Sequence, residues 1–167
     1  MLIVAGSRDF AGAAALAAWG ALRAGAGLVR VALPAVIHPA LCARVLPATW
    51  LPLPATRAGT FAAAGLAALR AAANAADVAV IGPGVGRVVE TARLVQRLVR
   101  SLALPLVLDA DGLNAFAGHP ELLVRSPPTV ITPHPGELAR LAPDLTATTD
   151  RERVRAASSR AAVAWWC

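Results

Sequence analysis

Two aspartates separated by a single residue, Asp109 and Asp111, directly follow an apolar run and precede Gly112-Leu113-Asn114. Carboxylates at the end of a buried strand can reach into a cleft, where they hold a hydrated magnesium ion or a substrate hydroxyl. Asp111 or Asn114 can equally cap a following helix, since short polar side chains accept hydrogen bonds from its first amides. Both interpretations can hold, one residue for each.

A glycine-rich segment, Gly82-Pro83-Gly84-Val85-Gly86, lies between an apolar run and a helical pattern. Glycines let backbone amides approach a phosphate, and the N-terminus of the following helix favours an anion. The spacing is G-x-G-x-G and differs from the G-x-G-x-x-G dinucleotide fingerprint. The segment therefore predicts either an anion-binding loop or only a tight strand-to-helix turn.

His134 is the histidine that the sequence favours as functional, because prolines on both sides fix the loop that presents it after a strand. Glu137 follows in the first turn of the predicted helix. We expect the other two histidines, His38 and His119, to be structural.

Small residues, Gly12, Ala13 and Ala14, open the first predicted helix. They allow either close packing of that helix on a sheet or the close approach of a bulky ligand. Gly6 and Ser7 precede them directly after an apolar run, so this is a fourth cluster at a strand end.

Short β-branched runs alternate with alanine-rich helical patterns along the chain. Apolar strands without polar alternation are buried on both faces, and strands that alternate with helices form parallel βαβ units. We therefore predict one α/β domain with a mostly parallel sheet flanked by helices. All four clusters then lie at the carboxyl edge of the sheet, where ligands bind in such folds. The predicted strands span residues 2–5, 28–33, 78–81, 106–108 and 130–132. The predicted helices span residues 12–23, 61–73, 88–100 and a last segment from Asp150 to about Ala164. Residues 34–54 are expected to form a short helix and an irregular strand.

The composition of the 167 residues excludes several classes of protein. With 57% hydrophobic and 16% charged residues the chain is too apolar to be disordered, and its uncharged runs fall short of the ~18 residues of a membrane span. The net charge of +6 comes from arginine alone, and without a basic stripe it indicates surface arginines and no nucleic-acid partner. The absence of lysine excludes a Walker-type phosphate loop and an enzyme Schiff base. Cys42 and Cys167 have no metal-ligand spacing, which makes a reducing cytoplasm the default location.

The chain resembles the ADP-dependent NAD(P)H-hydrate dehydratases of the ribokinase-like superfamily in four segments that occur in the same order: AGSRDFAGAAALAAWGALRAGAGLVRVALP, IGPGVG, PLVLDADGLNAFA and TPHPGELARL. The resemblance covers essentially the whole chain and implies a ribokinase-like fold. It implies as substrate the S form of hydrated NADH or NADPH, whose ring carries a hydroxyl on C6. The resemblance further implies that ADP phosphorylates that hydroxyl with the help of Mg²⁺ and that phosphate then leaves, which gives NAD(P)H, AMP and phosphate. Because hydroxide is a poor leaving group and phosphate is a good one, nucleotide consumption makes the elimination feasible.

The resemblance also implies roles for individual residues. The residues that match the family's contacts to the hydrated dinucleotide are Gly12 with Ala13 or Ala14, Gly84, Gly86 and His134. The residues that line the same cleft are Asp111 and Asn114, and those assigned to Mg²⁺ are Glu137, in the place of the superfamily's magnesium-associated glutamate, and Asp109.

The family pattern continues beyond the last of these segments. In relatives, a lysine-glycine strand and a glycine-rich segment with a G-x-G-D motif supply the anion hole, much of the ADP site and the catalytic aspartate. Neither motif occurs in this sequence, so we interpret residues 1–167 as the N-terminal two-thirds of a single dehydratase domain, with the catalytic aspartate beyond Cys167. Since the loss of one preorganised donor costs about 10²–10³ in rate, we expect no measurable activity from this chain alone.

Three other functions stay open. The chain can be another ribokinase-like small-molecule kinase, although those kinases more often carry an asparagine at the position of His134. It can be a non-catalytic remnant that binds nucleotide or, on its net charge alone, a nucleic-acid binder. For the dehydratase we expect the cytoplasm as location, hydrated NAD(P)H and ADP as partners, and a homo-oligomer, which is a tetramer in relatives.

Overall fold

The computed structural model describes residues 1–141, residue 143 and residues 163–165. Strands and helices alternate along this part of the chain. The strands are β1 (Leu2–Val4), β2 (Arg30–Pro34), β3 (Thr49–Leu53), β4 (Ala79–Ile81), β5 (Leu106–Leu108), β6 (Thr129–Ile131) and β7 (Val163–Trp165). The helices are α1 (Ala11–Arg23), α2 (His38–Cys42), α3 (Leu66–Asn74), α4 (Val89–Ser101), α5 (Asp111–Asn114) and α6 (Pro135–Leu141), and 3₁₀ turns cover Ala35–Ile37, Ala63–Gly65 and Pro120–Leu123.

Within the described residues the strands form one seven-stranded sheet in the order β3-β2-β1-β4-β5-β6-β7. Every pair of neighbouring strands is parallel, which confirms the predicted sheet. Leu2 of β1 lies opposite both Arg30 of β2 and Ala79 of β4. The strand order therefore reverses at β1: β2 and β3 extend from one side of it, and β4 to β7 extend from the other.

Two apolar cores lie on the two faces of the sheet, because successive side chains of a strand point to opposite faces. Ile3 of β1 packs in the core that α1 and α2 cover, together with Ala14 and Ala18 of α1. Leu2 and Val4 pack in the other core, which α3, α4 and α5 cover. Both faces of β1 are thus buried, which explains why its sequence lacks polar alternation.

Helix α1 is rich in alanine, the residue of highest helix propensity, and it ends at a glycine cap. Gly25 adopts a φ of 93°, and its N–H donates to the carbonyl of Leu22 at 3.1 Å. The N–H of Ala26 donates to the carbonyl of Ala21, also at 3.1 Å. This pair of bonds is the Schellman motif, in which a left-handed residue stops the helix, and it confirms the predicted glycine stop.

Two predicted helices differ from the structure. The helix expected over 61–73 begins later, with a 3₁₀ turn and then α3, because Phe61 pairs as an isolated bridge with Ala55 and its carbonyl accepts a hydrogen bond from Thr91 Oγ1 at 2.8 Å. The helix expected to end near Ala164 is wrong at that end, because β7 occupies those residues and pairs with β6. Asp150, where that helix was expected to begin, lies outside the described residues.

The remaining boundaries agree with the predictions to within two residues. The irregular strand expected within 34–54 is the regular strand β3, all five residues of which pair with β2. None of the helices in the described part of the chain combines the length and the apolar character needed to cross a membrane.

Candidate functional site

The loops after β1, β4, β5 and β6 lie at the carboxyl edge of the sheet, because parallel strands all end at that edge. Backbone hydrogen bonds join neighbouring strand ends: Gly6 N–H donates to the carbonyl of Pro83 at 2.8 Å, and Asp109 N–H donates to the carbonyl of Ile81 at 3.1 Å. The chain leaves β1 toward α1 on one face and leaves β4 toward α4 on the other. In open α/β sheets, ligands bind in the crevice outside the strand ends at such a reversal of strand order. The structure thus brings the four sequence clusters to one edge.

Gly84 lies directly against the N-terminus of α1. A Cβ at Gly84 would stand 2.7 Å from Cβ of Phe10 and 2.8 Å from Cβ of Ala13, and its φ of 65° is left-handed. Gly12 is exposed, and a Cβ there would meet nothing within 4 Å. The side chain of Ala14, in contrast, is fully buried in the core. Of the three small residues predicted to contact substrate, Gly12 and Ala13 therefore lie at the crevice, whereas Ala14 packs α1 on the sheet.

The N-terminus of α1 carries neither a side-chain cap nor an acidic residue in its first turn. The first amides of a helix lack intrahelical partners and favour an anion by about 0.3–1 kcal/mol. Because Gly84 lets the glycine segment pack against this helix end and Gly12 beside it is open to solvent, the arrangement suits a phosphate or another anionic group.

Asp111 connects the glycine segment to α5. Its Oδ2 accepts a hydrogen bond from the N–H of Gly86 at 3.1 Å, and its Oδ1 accepts one from Nδ2 of Asn114 at 3.2 Å. Hydrogen bonds to a carboxylate are roughly twice as strong as neutral ones, so this contact holds the end of the glycine segment firmly. The N-cap of α5 is Ala110, and therefore neither Asp111 nor Asn114 fills the cap role that the sequence left open.

Ala110 separates the two aspartates in a strained backbone conformation, with φ 51° and ψ −124°. Among the described residues it is the one non-glycine with a positive φ. Such conformations cost on the order of 1–3 kcal/mol and persist only where the surroundings impose them. Here the backbones of Gly82 and Gly112 cross in contact, since a Cβ on Gly112 would stand 2.8 Å from Cα of Gly82. This crossing fixes the turn from which Asp109 and Asp111 project.

His134 is the N-cap of α6, and Pro135 is its first residue. Nδ1 of the imidazole accepts hydrogen bonds from the N–H groups of Gly136 at 3.0 Å and Glu137 at 3.3 Å. Oε2 of Glu137 accepts from the backbone N–H of His134 at 3.0 Å, which completes a capping box. The ring proton must then sit on Nε2, which lies 3.2 Å from Oε1 of Glu137.

The two members of this capping box differ in exposure. The imidazole of His134 is 62% exposed, whereas the side chain of Glu137 is only 7% exposed. His134 therefore both starts the helix and offers an N–H donor to solvent or ligand. The two prolines predict the fixed loop, whereas the mutual bonding of His134 and Glu137 was missed, although a cap residue followed three positions later by glutamate is its known signal.

Two residues at this edge were assigned no role from the sequence. Nε of Arg140 donates to Oδ1 of Asn114 at 2.8 Å, which ties the last turn of α6 to α5. Phe10, next to Gly84, is 55% exposed although it is a large apolar side chain. Only the assembled sheet places these two residues near the predicted site.

A surface cleft of about 280 Å³ between α3 and α4 is separate from this site. It is lined by Arg70, Arg97, Arg100 and Ser101, and Arg70 Nε donates to Oγ of Ser101 at 3.0 Å. Its residues on α4 belong to the C-terminal half of that helix, from which the chain returns to the amino edge of the sheet. The cleft therefore lies away from the four loops.

The sequence profile of a family described as NAD(P)H-hydrate dehydratase matches residues 1–164. The chain belongs to the NAD(P)H-hydrate dehydratase family. The bifunctional NAD(P)H-hydrate repair enzyme Nnr of Salinibacter ruber is 50% identical over 163 residues, which are 96% of this chain and 30% of that protein. The ADP-dependent (S)-NAD(P)H-hydrate dehydratase of Xanthomonas campestris is 40% identical over 168 residues, which are 99% of this chain and 54% of that protein. This chain therefore spans about a third to a half of the length of these relatives.

Two solved structures share the fold of this NAD(P)H-hydrate dehydratase family member. A ribokinase-like superfamily protein from Enterococcus faecalis superposes with a TM-score of 0.76 over 95% of this chain and 54% of that chain, at 22% identity. The ADP/ATP-dependent NAD(P)H-hydrate dehydratase from Bacillus subtilis, co-crystallized with ATP and Mg²⁺ and soaked with CoA, superposes with a TM-score of 0.61 over 85% of this chain and 47% of that chain, at 29% identity. The ribokinase-like fold implied by the sequence is confirmed.

In this dehydratase family member, the described residues contain no group of three histidine, cysteine, aspartate or glutamate side chains that could hold a metal. Oε2 of Glu137 accepts a hydrogen bond from the backbone of His134, and Oε1 lies 3.2 Å from Nε2 of the same residue. Oδ1 of Asp109 accepts a 2.7 Å hydrogen bond from Oγ1 of Thr132. Mg²⁺ usually takes one or two carboxylates together with substrate phosphates and waters. Asp109 has a second carboxylate oxygen for such a shared ion, whereas Oε2 of Glu137 is already used in the capping box. Metal binding by either residue stays a prediction.

Proposed function

We propose that this chain forms the dinucleotide-binding part of an ADP-dependent dehydratase, which repairs the S form of hydrated NADH or NADPH and releases AMP and phosphate. The observation that carries the proposal is the meeting of the Gly84 loop with the N-terminus of α1 at the strand-order reversal. Membership in the dehydratase family supports the choice of substrate. A cytoplasmic location and a homo-oligomeric state belong to the same proposal.

The proposed reaction divides a difficult elimination into two steps. The terminal phosphoryl group of ADP passes to the C6 hydroxyl of the hydrated ring, which releases the hydroxyl proton and AMP. The C–O bond of the new ester then breaks with loss of a ring proton, which frees phosphate and restores the double bond of NAD(P)H. Phosphoryl transfer depends mainly on positioning and charge stabilisation, and the residues of this chain contribute positioning.

The crevice offers three groups for that positioning. Gly84 lets the glycine segment pack against the start of α1, where a Cβ would collide with Phe10 and Ala13, and the exposed Gly12 leaves that helix end open to a ligand. The uncapped N-terminus of α1 favours an anionic part of the dinucleotide. The Nε2–H of His134 can donate to a substrate oxygen in place of Glu137. Mg²⁺ bound with ADP would neutralise phosphate charge, and Asp109 is the residue that fits it.

Calorimetric titration of the purified chain with hydrated NADH tests the proposal. We expect saturable binding of the S form, weakened about 5- to 10-fold by His134→Asn, which removes one hydrogen bond to the substrate. Asparagine is among the best N-cap residues, so this change keeps the start of α6 intact.

His119→Ala is the matched control for this titration. The imidazole of His119 is 64% exposed and also pairs with a glutamate, Glu121, at 3.3 Å. We expect its affinity for hydrated NADH to equal that of the wild type. The proposal fails if the wild type shows no saturable binding or if the two variants lose affinity equally.

A further inference from the structure

Arg140 ends a chain of hydrogen bonds that starts at the glycine segment. The N–H of Gly86 donates to Asp111, Nδ2 of Asn114 donates to the other oxygen of Asp111, and Nε of Arg140 donates to Oδ1 of Asn114 at 2.8 Å. The amide of Asn114 is thereby used on both sides. Asn114 therefore links the carboxylate of Asp111 to the guanidinium of Arg140. A ligand that bound Nδ2 and Oδ1 of Asn114 would break both of these hydrogen bonds.

The terminal nitrogens of Arg140 are not used by the residues that the structure describes. Within the described ranges, Nη1 and Nη2 have no hydrogen-bond partner and no carboxylate pairs with this side chain. A guanidinium has five N–H donors, of which the contact with Asn114 uses the one on Nε. Asn114 thus orients the guanidinium of Arg140, and no described carboxylate neutralises its charge.

The direction of the side chain brings this charge to the candidate site. Helical side chains lean toward the N-terminus of their helix, and Nη1 of Arg140 lies 3.6 Å from the position of a Cβ on Gly136. Gly136 is also in contact with the His134 ring, since the same Cβ would stand 2.9 Å from Cε1 of His134. The guanidinium therefore lies beside the His134 loop at the carboxyl edge of the sheet.

We propose that Arg140 binds a phosphate group of the nucleotide at this edge and that Asn114 is its positioning residue. The proposal rests on the proposed function, in which both the hydrated dinucleotide and ADP carry phosphates. A guanidinium with its Nε fixed presents the two Nη groups as a planar fork, which matches two phosphate oxygens. Arg140 is a contact that the sequence motifs do not assign.

Titrations of the Arg140→Gln chain with three ligands test this contact: hydrated NADH, ADP, and the hydrated riboside of reduced nicotinamide, which lacks phosphate. We expect Arg140→Gln to lower the affinity for one or both phosphate-bearing ligands by about 10- to 100-fold, which corresponds to the loss of a charged hydrogen bond. The affinity for the riboside should not change. The ligand that is weakened identifies the source of the phosphate. Arg93→Gln, an exposed arginine on α4, is the control and is expected to bind all three ligands like the wild type.

A second set of variants separates ligand contact from folding. Arg140→Lys keeps the positive charge but lacks the planar pair of Nη groups. Its affinity for the phosphate-bearing ligand is therefore expected to lie between that of Arg140→Gln and that of the wild type. Asn114→Ala is expected to lower the affinity for the same ligand. The double variant with Arg140→Gln should lose no more affinity than Arg140→Gln alone, because both substitutions remove the same interaction. The inference is wrong if Arg140→Gln binds both phosphate-bearing ligands within about twofold of the wild type, or if it weakens the riboside equally. Failure of the proposed function is a different result, namely no binding of hydrated NADH by the wild type.

Discussion

Replacing Gly82 by alanine is expected to disrupt the turn that carries Asp109 and Asp111. Gly82 has a φ of 125°, which side chains rarely adopt. A Cβ there would stand 2.7 Å from N and 2.8 Å from Cα of Gly112, and closer still to the carbonyl oxygen of Asp109. All three neighbours are backbone atoms that cannot rotate away, so the strands β4 and β5 themselves must shift.

The loss of stability follows from two contributions. The backbone conformation costs a non-glycine residue about 1–3 kcal/mol, and overpacking costs about 1–3 kcal/mol. The free energy of unfolding should therefore fall by about 2–6 kcal/mol, which is a large share of the ~5–15 kcal/mol of an ordinary domain.

Two other glycines separate these contributions. Gly118 has a φ of 74° but open space around its Cβ position, so Gly118→Ala should lose only the conformational contribution of about 1–3 kcal/mol. Gly20 lies inside α1, again with nothing within 4 Å, and Gly20→Ala should raise the free energy of unfolding by about 0.5–1 kcal/mol.

Urea unfolding followed by far-ultraviolet circular dichroism gives the free energy of unfolding for all four proteins. The expected order of midpoints, from lowest to highest, is Gly82→Ala, Gly118→Ala, wild type and Gly20→Ala. Equal midpoints for Gly82→Ala and Gly118→Ala would contradict this order, because the contact with Gly112 would then contribute nothing to the loss of stability.

Two further predictions concern the rest of the chain. The guanidinium of Arg125 donates to the carbonyls of Leu102 at 2.6 Å and Leu104 at 3.0 Å, and burial lowers its pKa without removing its charge at ordinary pH. Arg125→Met leaves these carbonyls without that donor and should lower the free energy of unfolding by about 1–3 kcal/mol, and an unchanged urea midpoint would contradict this. These 167 residues alone are expected to bind hydrated NADH without ADP-dependent turnover, because they span only about a third to a half of the length of the relatives named above. Recovery of the absorbance of reduced nicotinamide on addition of ADP and Mg²⁺ would contradict that expectation.

The sequence predicts the sheet well because its strands are short, apolar and separated by helical periodicity. The late start of α3 could not be predicted, since Phe61 is held by a bridge to Ala55 and a hydrogen bond from Thr91, which are contacts outside the local pattern. The strand β7 was missed for a similar reason. Its three residues follow an alanine-rich stretch, and only the pairing with β6 distinguishes them from the end of a helix.

For the candidate site, the sequence predicts the common edge, because parallel topology alone places every strand end there. It does not predict which side chains bond to one another. The contact of Gly86 with Asp111 joins residues 25 positions apart, and that of Asn114 with Arg140 joins residues 26 positions apart. Such pairs depend on the register of neighbouring strands, which no local spacing encodes.

The place of β1 in the sheet has a consequence for synthesis of the chain. Leu2 pairs with Arg30 and with Ala79, so one side of β1 waits for its partner until β4 has been translated. An open strand edge can pair with other chains, and distant pairings form slowly. A pause in translation between β3 and β4 therefore lengthens the time in which the nascent chain can associate with its copies, and this interval is the one in which a chaperone would protect it most.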